Sequence, residues 1–283
     1  MTTYARILSA PAISIDSSVT ATPFPPVSTE DDDSVFCYRD TASSRAGIAA
    51  VTRKLELGKI GIVGLGGTGA YVLDLVAKTP VKEIHLFDGD TFSQHNAFRA
   101  PGAASIDELR QRPQKVAYLK AKYSMMHRHI IEHDVFIDVS TASLLEGMDF
   151  VFLCLDKGEP KREIVAKLEA IDVPFIDVGM GVNLVDGSLL GVVRATTSTP
   201  VARAHVHRRN RIPFSDNSDN NEYSKNIQIA DLNALNAAFA VIRWKKLLGF
   251  YHDLERELFS TYTIDGNKLI NEDHDEASDG VAA

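Results

Sequence analysis

The run Gly64-Leu65-Gly66-Gly67-Thr68-Gly69 follows directly on Ile60-Gly61-Ile62-Val63 and opens onto Ala70-Tyr71-Val72-Leu73. An apolar β-rich stretch, a cluster of glycines and a helix-forming segment in that order specify a strand, a tight turn and a helix start. Glycine at this turn lets it close, lets backbone approach a phosphate and lets the helix pack against the strand, so the spot suits the phosphate chain of a nucleotide. The next β-rich run, Ile84-His85-Leu86-Phe87, ends at Asp88, nineteen positions after Gly69. At that spacing an acid accepts hydrogen bonds from a ribose hydroxyl, which points to adenosine.

Around these features short β-rich runs alternate with helical patterns. Strands are expected over 59–63, 83–88, 134–139, 150–155, 174–178 and 189–195, and helices over 69–78, 106–127, 159–171 and 230–248. Continuous apolar strands interleaved with helices define an α/β chain with a Rossmann-like doubly wound, mostly parallel sheet and helices on both faces. Residues 1–35 mix Ser, Thr and Pro, as in Thr22-Pro23-Phe24-Pro25-Pro26, with the acidic run 30–33, and are expected to form an extended arm. The domain proper is expected over 36–270, with 271–283 a mobile acidic tail. In the helix after residue 230, Ala234, Ala237, Ala238 and Ala240 beside Leu232, Leu235 and Phe239 suit close packing in a core or a dimer contact.

Composition excludes several classes. A formal charge of −8 opposes general nucleic-acid binding, which requires an electropositive face. The longest apolar stretches, such as 150–155, fall well short of the ~20 residues of a membrane-spanning helix, and the first residues lack a secretory pattern. Two cysteines, Cys37 and Cys154, cannot build a disulfide framework or a four-cysteine zinc site. A cytoplasmic location is expected. His127, His129 and His133 lack companion ligands for a metal and are expected at a helix end.

Two chemistries fit a glycine loop followed by an acid: hydride transfer with a dinucleotide, or adenylation with ATP. Adenylation requires cations and Mg²⁺ to stabilise charge on the departing pyrophosphate. The residues after Asp88, Gly89-Asp90-Thr91-Phe92-Ser93-Gln94-His95-Asn96-Ala97-Phe98-Arg99, resemble the Asp-x-Asp-x-Val-x-x-x-Asn-Leu-x-Arg stretch of the ubiquitin-activating enzyme superfamily, in particular its adenylyltransferases of ThiF and MoeB type. Pro113-Gln114-Lys115-Val116 is similar to the family's Gly-x-x-Lys-Val segment, Leu153-Cys154-Leu155-Asp156 to its strand-ending Asp, and Ser44-Arg45-Ala46-Gly47-Ile48 to its Ser-Arg-x-x-Ile.

The resemblance implies ATP as the nucleotide, with Gly64, Gly66, Gly67 and Gly69 forming the phosphate loop, Asp88 on the ribose, Asp90 also among the nucleotide-binding residues, and Asn96, Arg99 and Lys115 on the phosphates. Asp156 would hold Mg²⁺. Arg45 would reach the nucleotide of a neighbouring subunit, which implies a homodimer; Arg39 is a rival for that role. The substrate would be a ubiquitin-like or sulfur-carrier protein whose C-terminal glycine is converted to an acyl-adenylate, with a separate conjugating enzyme as a possible acceptor.

The sequence departs from the family pattern in four ways. Ala100 replaces a Gln after the motif Arg, Arg112 stands at the glycine of the lysine segment, the zinc cysteines are absent, and the crossover stretch, about 196–226, has no cysteine, so the chain is expected to stop at the adenylate. Cys154 reads as a core residue. Within the crossover stretch the basic run 205–211 and the acidic run 216–222 suit either a solvated loop or a guide for a peptide tail. A nicotinamide-dependent oxidoreductase, a non-catalytic partner subunit and an adenylating enzyme for small molecules or tRNA remain alternatives.

Overall fold

A computed structural model of the chain describes residues 2–20, 27–29, 34–156, 158–214 and 227–275. In chain order the elements are α1 (Thr2–Ile15), α2 (Thr41–Ala46), α3 (Ala49–Thr52), β1 (Lys59–Val63), α4 (Gly67–Val76), β2 (Glu83–Phe87), α5 (Gln94–Ala97), α6 (Ile106–Gln111), α7 (Lys115–Tyr123), β3 (Ile130–His133), β4 (Phe150–Leu153), α8 (Gly158–Ala170), β5 (Phe175–Val185), β6 (Ser188–Ser198), α9 (Ala204–Arg208), α10 (Ala230–Leu247), β7 (Glu257–Thr263) and β8 (Lys268–His274).

The eight strands form one sheet in the order β3-β2-β1-β4-β5-β6-β7-β8. Strands β3 to β5 are parallel, in register Ile60↔Ile84 and Ile60↔Phe150 around the central β1, and β5 to β8 continue as an antiparallel meander. The expected doubly wound α/β sheet is present. Its antiparallel half had local signals in Asp186-Gly187 and Asp265-Gly266-Asn267, where Asp186 and Asn267 take φ of 48° and 47°, the left-handed backbone of tight hairpins.

Alternation of side chains across the strands builds two cores. Ile60, Ile62, Ile84, Phe150, Phe152 and Ile176 pack on α4, α7 and α10 through Leu73, Leu119, Ala237 and Trp244. On the opposite face Val63, Phe87, Val151, Leu153 and Phe175 pack on Ile164, Val165 and Leu168 of α8. Strands buried on both faces need apolar residues at successive positions, which is why these runs lack a polar alternate. Beyond the central sheet Val182, Val193 and Leu232 form a smaller cluster under the start of α10.

Four expectations require correction. The stretch expected as an extended arm is helical over Thr2–Ile15, where Ala5, Arg6, Leu8, Ala10 and Ala12 favour helix despite Pro11; the Pro-rich residues 22–26 lie outside the described residues. Further along that arm, Thr29 donates its N–H to the Cys37 carbonyl (3.2 Å) and Arg39 to Val27 (2.9 Å), while Cys37 and Arg128 tie the segment to the chain after α7. The stretch expected as a mobile tail from 271 starts as strand, because Asn271 and Glu272 pair with Ser260 and Phe259 in β8; residues 276–283 lie outside the described residues. The single helix expected over 106–127 is two, broken where Arg112 turns left-handed at φ 49° ahead of Pro113. The strand expected over 134–139 is a loop: its neighbour Ile130–His133 takes the place beside β2, and Asp138 instead accepts from Ser140 N (2.8 Å) and Thr141 N (3.2 Å). Of the crossover stretch, Thr196–Ser198 belongs to β6 and Ala204–Arg208 is helical, while the acidic run 216–222 lies outside the described residues.

Candidate active site

Chain order reverses at β1: α4 leads away to β2 on one side, and β4 lies on the other. The crevice at the carboxyl ends of β1 and β4 is thus the switch point at which open α/β sheets receive ligands. A cavity of about 320 Å³ lies there, and Gly64, Gly66, Gly67, Asp88, Asp90, Arg99, Lys115 and Asp156 all line it. Gly64 and Asp156, 92 positions apart in sequence, therefore share one wall system.

Each glycine has a separate geometric reason. Gly64 adopts φ +88°, and an added Cβ would lie 2.8 Å from the Cys154 carbonyl oxygen; its N–H donates to the Phe87 carbonyl at 2.9 Å. Gly69 packs so closely on the turn that a Cβ would lie 1.8 Å from the Gly64 carbonyl oxygen. It does not line the cavity; it lets α4 start close under the loop. A Cβ at Gly67 would strike the Asn233 side chain of α10 at 2.2 Å, whereas Gly66, the N-cap of α4, faces open space. Among the described residues no side chain caps α4, so its N-terminal backbone N–H groups and positive dipole end remain for an anion.

Asp88 is 6 % exposed and links three parts of the site. It accepts from Leu65 N at 2.6 Å, from Asp90 N at 2.9 Å and from Lys115 Nζ at 3.3 Å. The acid thus fixes the glycine loop as well as facing the cavity, and its remaining acceptor capacity is limited. Lys115, the first residue of α7 and only 5 % exposed, also reaches Asp90 at 2.6 Å. Two carboxylates hold one ammonium at the cavity wall, and the backbone donation of Lys115 N to the Asp90 carbonyl (2.9 Å) fixes its helix start. Arg112, three residues earlier, fills the left-handed position where the resembled pattern carries glycine.

Arg99 lines the cavity half-buried, with its Nε buried and unpaired among the described residues. Asn96 is not among the lining residues. Its Oδ1 accepts from Ser93 N (2.9 Å), capping α5, and its buried Nδ2 lacks a partner. Asp156 follows β4 and is exposed at the cavity. Arg45 on α2 is exposed and lies outside the cavity, as is Arg39. Cys154 lines the site at the end of β4, but burial, with help from the Asp177 carboxylate, pushes its thiol well above its usual range, so it stays protonated.

Sequence reasoning missed part of this wall. Phe136, Ile137, Asp138, Thr68, Pro160 and Gln228 line the cavity as well. Phe136 is 58 % exposed and lies where a Cβ on Gly89 would meet its ring at 2.8 Å. The unusual exposure of an aromatic beside a glycine loop is a structural signal; in the sequence it looked like one more strand residue. Thr68 donates to Asn233 Oδ1 at 2.8 Å and so couples the loop to α10. Of the three expected helix-end histidines, His127 follows α7, whereas His133 closes β3 and bonds His85 at 3.0 Å. Among the described residues no cluster of three His, Cys, Asp or Glu could hold a metal, and no helix is long and apolar enough to cross a membrane.

The sheet order and the glycine-loop cavity define a Rossmann-like α/β protein with a nucleotide-type crevice. The chain belongs to the ThiF family, which matches residues 39–264; residues 1–41 match a domain of unknown function, DUF6791. It is similar to ubiquitin-like modifier-activating enzyme 5 of Gallus gallus, 26 % identical over 176 residues, covering 58 % of this chain and 44 % of that protein. The Aedes aegypti enzyme of the same name is 22 % identical over 174 residues, with the same coverage. The chain thus spans less than half the length of these relatives. Among solved structures, E. coli MccB with ATP superposes at a TM-score of 0.63 with 18 % identity, covering 84 % of this chain and 74 % of that one. PaaA does so at 0.61 with 16 % identity, covering 79 % and 75 %.

Proposed function

We propose that the chain is an ATP-dependent adenylyltransferase that activates the C-terminal glycine carboxylate of a ubiquitin-like or sulfur-carrier protein. One observation carries this reading: Gly64, Gly66, Gly67, Asp88, Arg99, Lys115 and Asp156 line one cavity at the switch point of the sheet. Kinship with ubiquitin-like modifier-activating enzymes supports the acyl donor, and the likeness to MccB in its ATP complex supports the fold that would hold the nucleotide.

In this reading the α4 N-terminus and loop N–H groups receive the phosphates, with Arg99 and Lys115 as cationic neighbours. Asp88 faces the ribose while holding the loop in shape. Asp156 suits Mg²⁺, which keeps several waters and needs only one or two protein carboxylates beside substrate phosphates. When bound, that ion would neutralise charge on the departing pyrophosphate. A carboxylate oxygen attacks the α-phosphorus, the α–β bridging P–O bond breaks, and pyrophosphate leaves. No proton is moved, so alignment and charge stabilisation suffice without a general base. The protonated Cys154 agrees with a product that remains an acyl-adenylate.

Arg45, outside its own chain's cavity, fits a contribution across a homodimer, and a conjugating enzyme is the class of partner that would take the activated acyl group. Exchange of labelled pyrophosphate into ATP, dependent on a carrier ending in glycine, tests the reading. Exchange that disappears in Asp156→Ala agrees with it, and exchange indifferent to carrier contradicts it.

A further inference from the structure

Helix α4 has Gly66 as its N-cap and Gly67, Thr68 and Gly69 as its first three residues. Backbone N–H groups at these positions have no acceptor inside the helix and are the ones a phosphate would meet. Glycine brings no side chain to hold such a turn and leaves its backbone free to adopt many conformations. Thr68 is therefore the side chain by which the turn can be fixed.

Helix α10 supplies the hold. Along most of its length the face turned to α4 is apolar: Ala237, Ala240 and Trp244 are fully buried in the core that also contains Ala70 and Leu73. One turn before Ala237 stands Asn233, 1 % exposed, opposite the start of α4. A buried amide costs free energy unless its hydrogen bonds are met, and Asn is a weaker helix former than the alanines beside it. Two bonds settle how this amide is turned. The Ile229 carbonyl can only accept, so it takes the Nδ2 hydrogen at 3.0 Å; Oδ1 then faces Thr68 and accepts from its hydroxyl at 2.8 Å. Ile229, the N-cap of α10, also accepts from Asn233 N at 2.9 Å, which anchors the residue to the helix start. The same side chain occupies the space over Gly67, where a Cβ would lie 2.2 Å from Nδ2 and 2.6 Å from Oδ1. Gly67 and Thr68 line the crevice, and Asn233 does not.

We propose that Asn233 is a positioning residue for the nucleotide. It holds the first turn of α4 through the Thr68 hydroxyl and the bare Cα of Gly67, and so presets the N–H groups that receive phosphate. A preset turn avoids the ordering cost that a loose one would subtract from affinity. The inference rests on the adenylation reading for the identity of the anion, and adds that ATP affinity is set partly by a residue outside the crevice.

Calorimetric titration of the full chain with Mg-ATP tests this, with melting followed by circular dichroism as the check on folding. Asn233→Ala is expected to raise the Kd at least about fivefold. Thr68→Val keeps the shape, drops the hydroxyl and should do the same, whereas Thr68→Ser keeps the hydroxyl and should stay within about twofold of the wild type. Added to Asn233→Ala, Thr68→Val should weaken binding by less than about a further twofold, because the bond it removes is already gone. A folded Asn233→Ala chain with the wild-type Kd overturns the proposal; should that variant not fold, Thr68→Val at the wild-type Kd does so. Thr68→Ser as weak as Thr68→Val also overturns it. So does an undiminished Thr68→Val loss in the Asn233→Ala background, since the hydroxyl would then act on the nucleotide itself. Failure of the wild type to bind Mg-ATP instead removes the adenylation reading and this inference with it.

Discussion

Gly64 and Lys115 show how much single side chains determine in this site. A Cβ at Gly64 meets both a left-handed backbone and the Cys154 carbonyl. Gly64→Ala should therefore lower stability by about 2 kcal/mol and distort the phosphate loop, measurable as a reduced denaturation midpoint with weakened ATP binding. Lys115 neutralises the buried Asp88. Lys115→Met removes that partner and should cost about 3 kcal/mol, moderated by the two backbone donors that remain on Asp88. Its exchange activity should fall far more than its folded fraction, and the comparison of exchange with circular dichroism checks this. At this scale the sequence was informative where a motif fixes local geometry: the glycines and Asp88 follow from strand, turn and spacing. It was silent on what Lys115 touches, because its two acids come from a different element.

Between elements, the breaks matter as much as the elements themselves. Arg112 closes α6 in a left-handed conformation that non-glycine residues enter at a cost, and Pro113 then restarts the chain towards α7 and Lys115. Arg112→Gly should stabilise the fold by up to about 1 kcal/mol without changing ATP affinity, as read from urea denaturation and calorimetry. The parallel half of the sheet was legible because its strands are continuous apolar runs between helical patterns, as at Ile60–Val63 and 150–153. Residues 134–139 carry the same signal, yet β2 has only one free edge, and Ile130–His133 occupies it. Competition for an edge is invisible in one segment read alone. The same limit hid Phe136 and Gln228, whose place at the cavity depends on how distant loops close over the sheet.

Across the whole molecule, buried polar groups link the fold to solution conditions. His127 accepts from His129 N at Nδ1 (3.3 Å) and contacts the Val81 carbonyl through Nε2 (2.8 Å), a pattern that requires the neutral ring. Burial holds its pKa, and that of His133, below the ordinary 6.5. The unfolded chain therefore binds protons that the folded chain refuses, so stability is full above about pH 6.5 and declines as pH falls below it. Melting scans between pH 7.5 and about 5 should show this slope, and His127→Gln should lower the melting point at pH 7.5 while flattening the slope. The central claim, however, concerns convergence: cationic and acidic side chains from the loop after β2, α7, the loop after β4 and the turn after α5 gather around one crevice. Calorimetric titration with Mg-ATP and, separately, with NADH tests that claim most directly. Saturable ATP binding that Arg99→Ala and Lys115→Met each weaken, with no heat from NADH, is the predicted result; NADH binding without affinity for ATP would contradict it.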